Sequence, residues 1–230
     1  MRIDILSLFP EYFEGPFKVS ILKKAQERGL VDINLINIRD FGEGRWKKVD
    51  DRPYGGGPGM VLIPGPIAKA IRSVKKENTH VVYLSPQGKL LDVKTCQRLA
   101  TYPHLICICG HYEGIDQRVI ETQVDEEISI GNYILTNGCL ASIVLVDAVA
   151  RFIPGVLGNE DSLLDESFQE DGVCEGPCYT RPEVFEGKCV PKVLLSGNHA
   201  EARKWKEKVR KKQGALGGLS NNYLVEKEIQ

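Results

Sequence analysis

Apolar residues recur along this chain in two periods. Residues Arg2–Leu8 and Val31–Ile38 are rich in branched aliphatic side chains and alternate with polar ones, which predicts two strands. Between them, Pro16–Gly29 places Phe17, Ile21 and Ala25 on one helical face and ends in glycine, a common helix stop. After a glycine-rich stretch from Asp40 to Gly59, a helix starts near Pro64 and carries Ile67, Ala70, Ile71 and Val74. Strands are predicted at His80–Leu84 and Leu105–Cys109, with a helix over about Val93–Tyr102 between them. Shorter strands are expected at Glu127–Ile130 and Tyr133–Leu135. An apolar helix, Leu140–Ile153, is closed by Pro154–Gly155. Alternating strands and helices with buried, branched strand residues predict an α/β fold with a mostly parallel sheet.

The pattern changes after residue 157. Between Gly158 and Gly176 there are seven acidic residues and no Lys or Arg, which reads as a mobile acidic linker over 158–176. Tyr179–Leu195 is expected to be irregular and punctuated by proline. Asn198–Gln213 is helical in pattern and carries seven basic residues against Glu201 and Glu207, with Trp205 among them. The excess charge and the indole make Arg203, Lys204 and Lys208 candidates for RNA contact. The division expected is 1–157, 158–176 and 177–230, the last a small helical domain; the tail after Gly214 is expected to fray.

Composition narrows the classes. The 230 residues are 42% hydrophobic and 27% charged, ordinary for a globular chain, and the net charge is -1. An RNA contact must therefore rest on a local patch, not on bulk charge. No apolar run reaches the roughly 20 residues that span a bilayer, and no signal peptide is recognisable, so a cytoplasmic location is expected. The seven cysteines are odd in number and scattered, which reads as reduced thiols. Cys107 and Cys109 share one face of a strand, as core residues do. Cys174, Cys178, Cys189 and His199 match no compact zinc-finger spacing.

Of the glycine-rich loops, GEGRWKK lacks the third glycine of a dinucleotide fingerprint, and GGGPGM lacks the Lys–Ser/Thr of a P-loop. Ser85–Gly88, Gly110–Gly114 and Gly131–Gly138 are more informative, because each follows a predicted strand. In an open parallel sheet these loops share the carboxyl edge, where ligands usually bind. The residues alone do not name that ligand.

Seven motifs then occur in order: DRPYGGGPGMV, YLSPQG, ICGHYEGIDQRV, EEISIGNYIL, RFIPGVLG, YTRPEVFEGK and VPKVLLSGNHAE. Together they resemble the TrmD family, bacterial tRNA (guanine-1)-methyltransferases of the SPOUT class, over residues 1 to about 210. The resemblance implies a SPOUT-type parallel sheet with a carboxyl-terminal trefoil knot, followed by a small mainly helical domain. It implies S-adenosyl-L-methionine as methyl donor, a homodimer with active sites across its interface, and tRNA as substrate. The guanosine immediately 3′ of the anticodon would be methylated on its ring N-1 atom, a modification that maintains the reading frame. The alternatives are a SPOUT methyltransferase for another RNA position, or an RNA-binding homologue with weakened catalysis. A magnesium requirement would come from the family alone.

Carried over by motif, the donor pocket comprises Tyr83, Leu84, Ser85 and Pro86, then Gly110, Tyr112, Glu113 and Gly114. The third loop adds Ile130, Gly131, Asn132, Tyr133, Ile134, Leu135 and Gly138. Asn198 and His199, from SGNHAE, join the basic residues as RNA contacts. A neutral guanine ring nitrogen must lose a proton before it attacks, so a carboxylate base and a charge-stabilising cation are needed. Arg151 matches the family's arginine. Relatives carry Asp immediately before Ser-Phe; here Glu166 holds that place and Asp165 precedes it, so Glu166 is the expected base and Asp165 its alternative. The chain also departs from the pattern at His111 (usually Arg), Asn132 (Asp), Asn137 (Gly) and Cys139 (Glu).

Overall fold

The computed structural model describes residues 1–158, 167–168 and 173–215, with side chains described to residue 210. Most of the acidic segment, including Asp165 and Glu166, and the tail from residue 216 lie outside the described residues. The chain divides into two compact units, Met1–Gly158 and Asn159–Gln230.

The first unit contains β1 (Arg2–Ser7), α1 (Ser20–Glu27), β2 (Asp32–Asn37), β3 (Asp50–Asp51), β4 (Val61–Leu62) and α2 (Pro64–Val74). It continues with β5 (Thr79–Leu90), α3 (Val93–Leu99), β6 (His104–Cys109), α4 (Gln117–Gln123), β7 (Glu126–Ser129) and α5 (Cys139–Ala150). Five strands form one sheet in the order β2-β1-β6-β5-β7, and every pairing is parallel. Parallel sheets bury both faces, and β6 shows why the sequence complies. All six of its residues are buried; Leu105, Cys107 and Cys109 enter one core, while Ile106 and Ile108 enter the other. The first core is closed by α1, α3 and α5, the second by α2 and α4. Burial pushes the Cys107 thiol up to about 12, as for a packing residue.

At the amino edge of the sheet a polar cluster ties three strands together. Asp4 is fully buried, is paired with Arg2 at 3.0 Å, and lies 2.9 Å from His104 Nε2. His104 Nδ1 meets Thr79 Oγ1 at 2.7 Å. Removing one partner of a buried pair leaves the other polar group stranded, so His104→Ala is expected to cost about 3–5 kcal/mol of unfolding free energy. Urea denaturation measures it; a loss below about 1 kcal/mol, the range of an exposed pair, would mean that Arg2 alone satisfies Asp4.

Several expected elements change. The first helix starts at Ser20, after the extended residue Val19, so the face meeting the core carries Leu22 and Ala25, and Ile21 is 45% exposed. Phe17 is still buried, but in a short 3-10 turn ahead of the helix. β5 runs on to Leu90, with Ser85–Gly88 bulging out where the pairing to β7 shifts register. No strand forms at Tyr133–Leu135. There the Tyr133 N–H bonds back to the Gly131 carbonyl at 3.0 Å, a turn too tight for a ladder. The short α4 escapes sequence reading because it buries only Val119, too little for a periodic signal.

The second unit holds β8 (Val184–Phe185) and β9 (Lys188–Cys189) as a small antiparallel hairpin, then α6 (Lys192–Leu195) and α7 (His199–Ala215). The stretch expected to be irregular therefore carries a hairpin and a helical turn. Their brevity hid them. Trp205 packs on Tyr179, ring centroids 6.3 Å apart, and Val209 is buried.

Candidate active site

A cleft of about 260 Å³ opens at the carboxyl ends of β5, β6 and β7. Leu84, Ser85 and Pro86 reach it from the β5 bulge. Gly110 and His111 to Gly114 follow β6; Ile128 and Ser129 end β7, and Ile130, Gly131 and Tyr133 to Gly138 follow it, with Ala141 from α5. The three glycine-bearing loops thus meet at one edge, because parallel pairing points all three strand ends the same way.

Close backbone approach sets the shape of the cleft. The Gly138 N–H donates to the Gly110 carbonyl at 2.8 Å, joining the second and third loops. A Cβ on Gly138 would lie 2.9 Å from the Gly110 nitrogen and 3.0 Å from the Cys109 Cα. A Cβ on Gly110 would lie 2.8 Å from the Tyr83 phenol oxygen. Tyr112 turns the second loop with φ 58°, a left-handed conformation that costs a non-glycine residue free energy and clusters at functional sites. The Glu113 N–H donates to the Met60 carbonyl and the Leu62 N–H to the Gly114 carbonyl, both at 3.0 Å. The chain just beyond GGGPG thus braces the second loop.

Of the residues assigned to the pocket by motif, Leu84, Ser85, Pro86, Gly110, Tyr112, Glu113, Gly114, Ile130, Gly131, Tyr133, Ile134, Leu135 and Gly138 line the cleft. Tyr83 and Asn132 do not. Tyr83 is buried beneath the second loop, where burial first and the Glu127 carboxylate second push its phenol up to about 12. Asn132 is exposed on the third loop. His111, Ile128, Ser129, Thr136, Asn137 and Ala141 also line the cleft, and motif reading did not include them. His111 and Asn137 carried a signal all the same, since both lie within the glycine-bearing loops. Asn137 accepts the Cys139 N–H at 2.8 Å and donates to the Tyr12 phenol at 3.2 Å. It is not in the left-handed region, so its side chain braces the start of α5 without backbone strain.

Arg151 follows the last turn of α5, about 18 Å of helix from Gly138 at 1.5 Å per residue. One copy of the chain does not bring it to the cleft. In the second unit, the Asn198 side chain accepts the N–H groups of Ala200 and Glu201, so Asn198 caps α7. His199, Arg203, Lys204 and Lys208 are exposed along the helix, and Trp205 turns inward. Among the described residues no three His, Cys, Asp or Glu side chains converge as metal ligands.

The model of the family described as tRNA (Guanine-1)-methyltransferase TrmD matches residues 1–217. A tRNA (guanine-N(1)-)-methyltransferase of Protochlamydia amoebophila (strain UWE25) is 62% identical over 206 residues, 90% of this chain and 92% of that protein. Proteins of the same name from Chlamydia pneumoniae and Chlamydia abortus (strain DSM 27085 / S26/3) are 55% identical over 231 residues and 57% identical over 209. The matches cover 100% and 91% of this chain, but only 63% and 58% of those two longer proteins.

Proposed function

Since the chain belongs to the tRNA (guanine-1)-methyltransferase TrmD family, we propose that it transfers a methyl group from S-adenosyl-L-methionine to the ring N-1 atom of the guanosine immediately 3′ of the anticodon in tRNA. The observation that carries this reading is the cleft, which gathers thirteen of the fifteen residues assigned by motif to the donor pocket.

The cleft suits such a donor. Leu84, Ile128, Ile130, Leu135 and Ala141 offer apolar walls to a purine, and glycine backbone at Gly110, Gly131 and Gly138 leaves room for close approach. Glu113 contributes an exposed carboxylate at the rim, a partner for the donor's amino group. Bound there, the donor supplies a methyl group already activated on a sulfonium. What remains for the chain is to hold guanine in line and manage one proton. Glu166 takes the proton from guanine N-1, and an arginine stabilises charge building on the neighbouring oxo group.

That arginine comes from a second copy. Leu140 and Val144 of α5 are each 47% exposed, and the exposed Asp147 and then Arg151 continue their stripe at helical spacing. The two exposed apolar residues at its head suit a second α5. Pairing two copies along it brings the partner subunit's Arg151 toward a cleft that its own copy cannot reach. The SPOUT fold with its carboxyl-terminal trefoil knot belongs to the same reading. So do cytoplasmic work on tRNA and the assignment of 1–157 to catalysis and 177–230 to tRNA binding. The exposed bases of α7 support the last point.

Single-turnover reaction of the protein with unmodified tRNA transcripts and labelled S-adenosylmethionine tests the proposal. Methyl label is expected on N-1 of the guanine 3′ of the anticodon, and a transcript with adenine there should remain unlabelled. Donor binding with no label at that guanine would overturn it.

A further inference from the structure

Two buried side chains beside the cleft touch each other. His111 Nε2 lies 3.6 Å from the Cys139 sulfur; the imidazole is 7% exposed and the thiol fully buried. We propose that His111 and Cys139 form a buried imidazolium–thiolate pair that holds the second and third loops together and so positions the methyl-donor cleft. The donor part of this inference rests on the function proposed above.

The surroundings of the sulfur are those of an anion. Ser7 Oγ is 3.2 Å from it and already accepts the Phe9 N–H, which leaves the hydroxyl hydrogen for sulfur. The buried Cys109 thiol lies beside it. Burial first, and Cys139 next, push Cys109 well above the ordinary thiol range, so Cys109 keeps its proton. His111 is the second donor. Cys139 is also the first residue of α5, where the helix N-terminus favours negative charge. These influences lower the Cys139 thiol, the Cys109 hydrogen bond most, then His111 and Ser7, against the opposing effect of burial. A buried anion needs a cation beside it. Forming the pair moves one proton from the Cys139 sulfur to the His111 ring and leaves the total charge unchanged. Tyr112 is the other titratable group facing His111, its ring 6.1 Å away, and Phe9 covers the imidazole at 5.0 Å.

Position gives the pair its consequence. Gly110 and Gly138, joined by a backbone hydrogen bond, are the residues immediately before His111 and Cys139. The side-chain pair is therefore a second fastening between the same two loops, one residue further along each. Both are positioning residues: the chemistry passes them by, but the cleft's width depends on them.

Thiolate ultraviolet absorbance at neutral pH tests the pair without any donor. One thiolate is expected in the native protein and in neither Cys139→Ala nor His111→Ala. S-adenosylmethionine titration should then show donor affinity about tenfold weaker in each single variant, the double variant being no worse than the poorer single. The double exchange His111→Arg with Cys139→Glu should restore affinity, which a simple loss of packing would not allow. Equal thiolate absorbance in native protein and Cys139→Ala would overturn the pair. Losses that add in the double variant would overturn its positioning role. If no variant and no native protein binds the donor while the thiolate signal behaves as expected, it is the function proposed above that fails.

Discussion

Gly138→Ala is expected to weaken S-adenosylmethionine binding on the order of a hundredfold. The new methyl group would meet backbone on every near side: the Gly110 nitrogen at 2.9 Å, the Cys109 Cα at 3.0 Å and the Cys109 carbonyl carbon at 3.3 Å. Cys109 ends a strand with all six residues buried and cannot step aside. The third loop must move instead, breaking the 2.8 Å bond from Gly138 to Gly110 that closes the cleft. Overpacking of this kind costs about 1–3 kcal/mol and the lost hydrogen bond about 1 kcal/mol more. Each 1.4 kcal/mol is tenfold in affinity. Calorimetric titration with the donor measures it, with Gly158→Ala as control, since nothing lies within 4 Å of a Cβ there. A Gly138→Ala protein that binds like the native one would show that the cleft is not the donor site.

Glu166→Gln is expected to reduce the single-turnover rate about 10²–10⁴-fold, the usual contribution of a general base, with donor affinity nearly unchanged. The amide keeps the size of the side chain but cannot accept the guanine N-1 proton. The prediction rests on chemistry and family pattern, because Glu166 lies outside the described residues. Asp165→Asn provides the comparison. If it costs more than Glu166→Gln, the base is Asp165 and the register slides by one. If both variants turn over at the native rate, proton removal is assigned elsewhere.

The two predictions differ in what supports them, and the difference follows the physics. Strand positions were legible because burial on both faces demands unbroken branched or apolar runs, as in Leu105–Cys109. The Val93 and Leu140 helices were legible to within a few residues of their ends. Illegible were elements too short to repeat a period, such as α4 and the Val184–Cys189 hairpin. Illegible too was the start of the first helix, where one extended residue at Val19 rotates the buried face from Ile21 to Leu22. Tyr133–Leu135 has strand-like composition, but a local N–H to carbonyl bond inside the loop wins over a ladder.

Within the site, motif order marked which residues gather and could not say how. His111 and Cys139 stand 28 positions apart, and nothing in their spacing links them; the parallel pairing of β5, β6 and β7 brings them within 3.6 Å. Likewise Trp205, read with its basic neighbours as a sign of RNA contact, packs instead against Tyr179. By itself, the sequence determined the parallel α/β sheet, the three glycine-bearing loops and the family, because hydrophobic period and local turn chemistry are written residue by residue. Tertiary structure alone decided which side chains share the cleft and which glycines tolerate no Cβ. Those are distances between segments remote in the chain, and they exist only once the strands have paired.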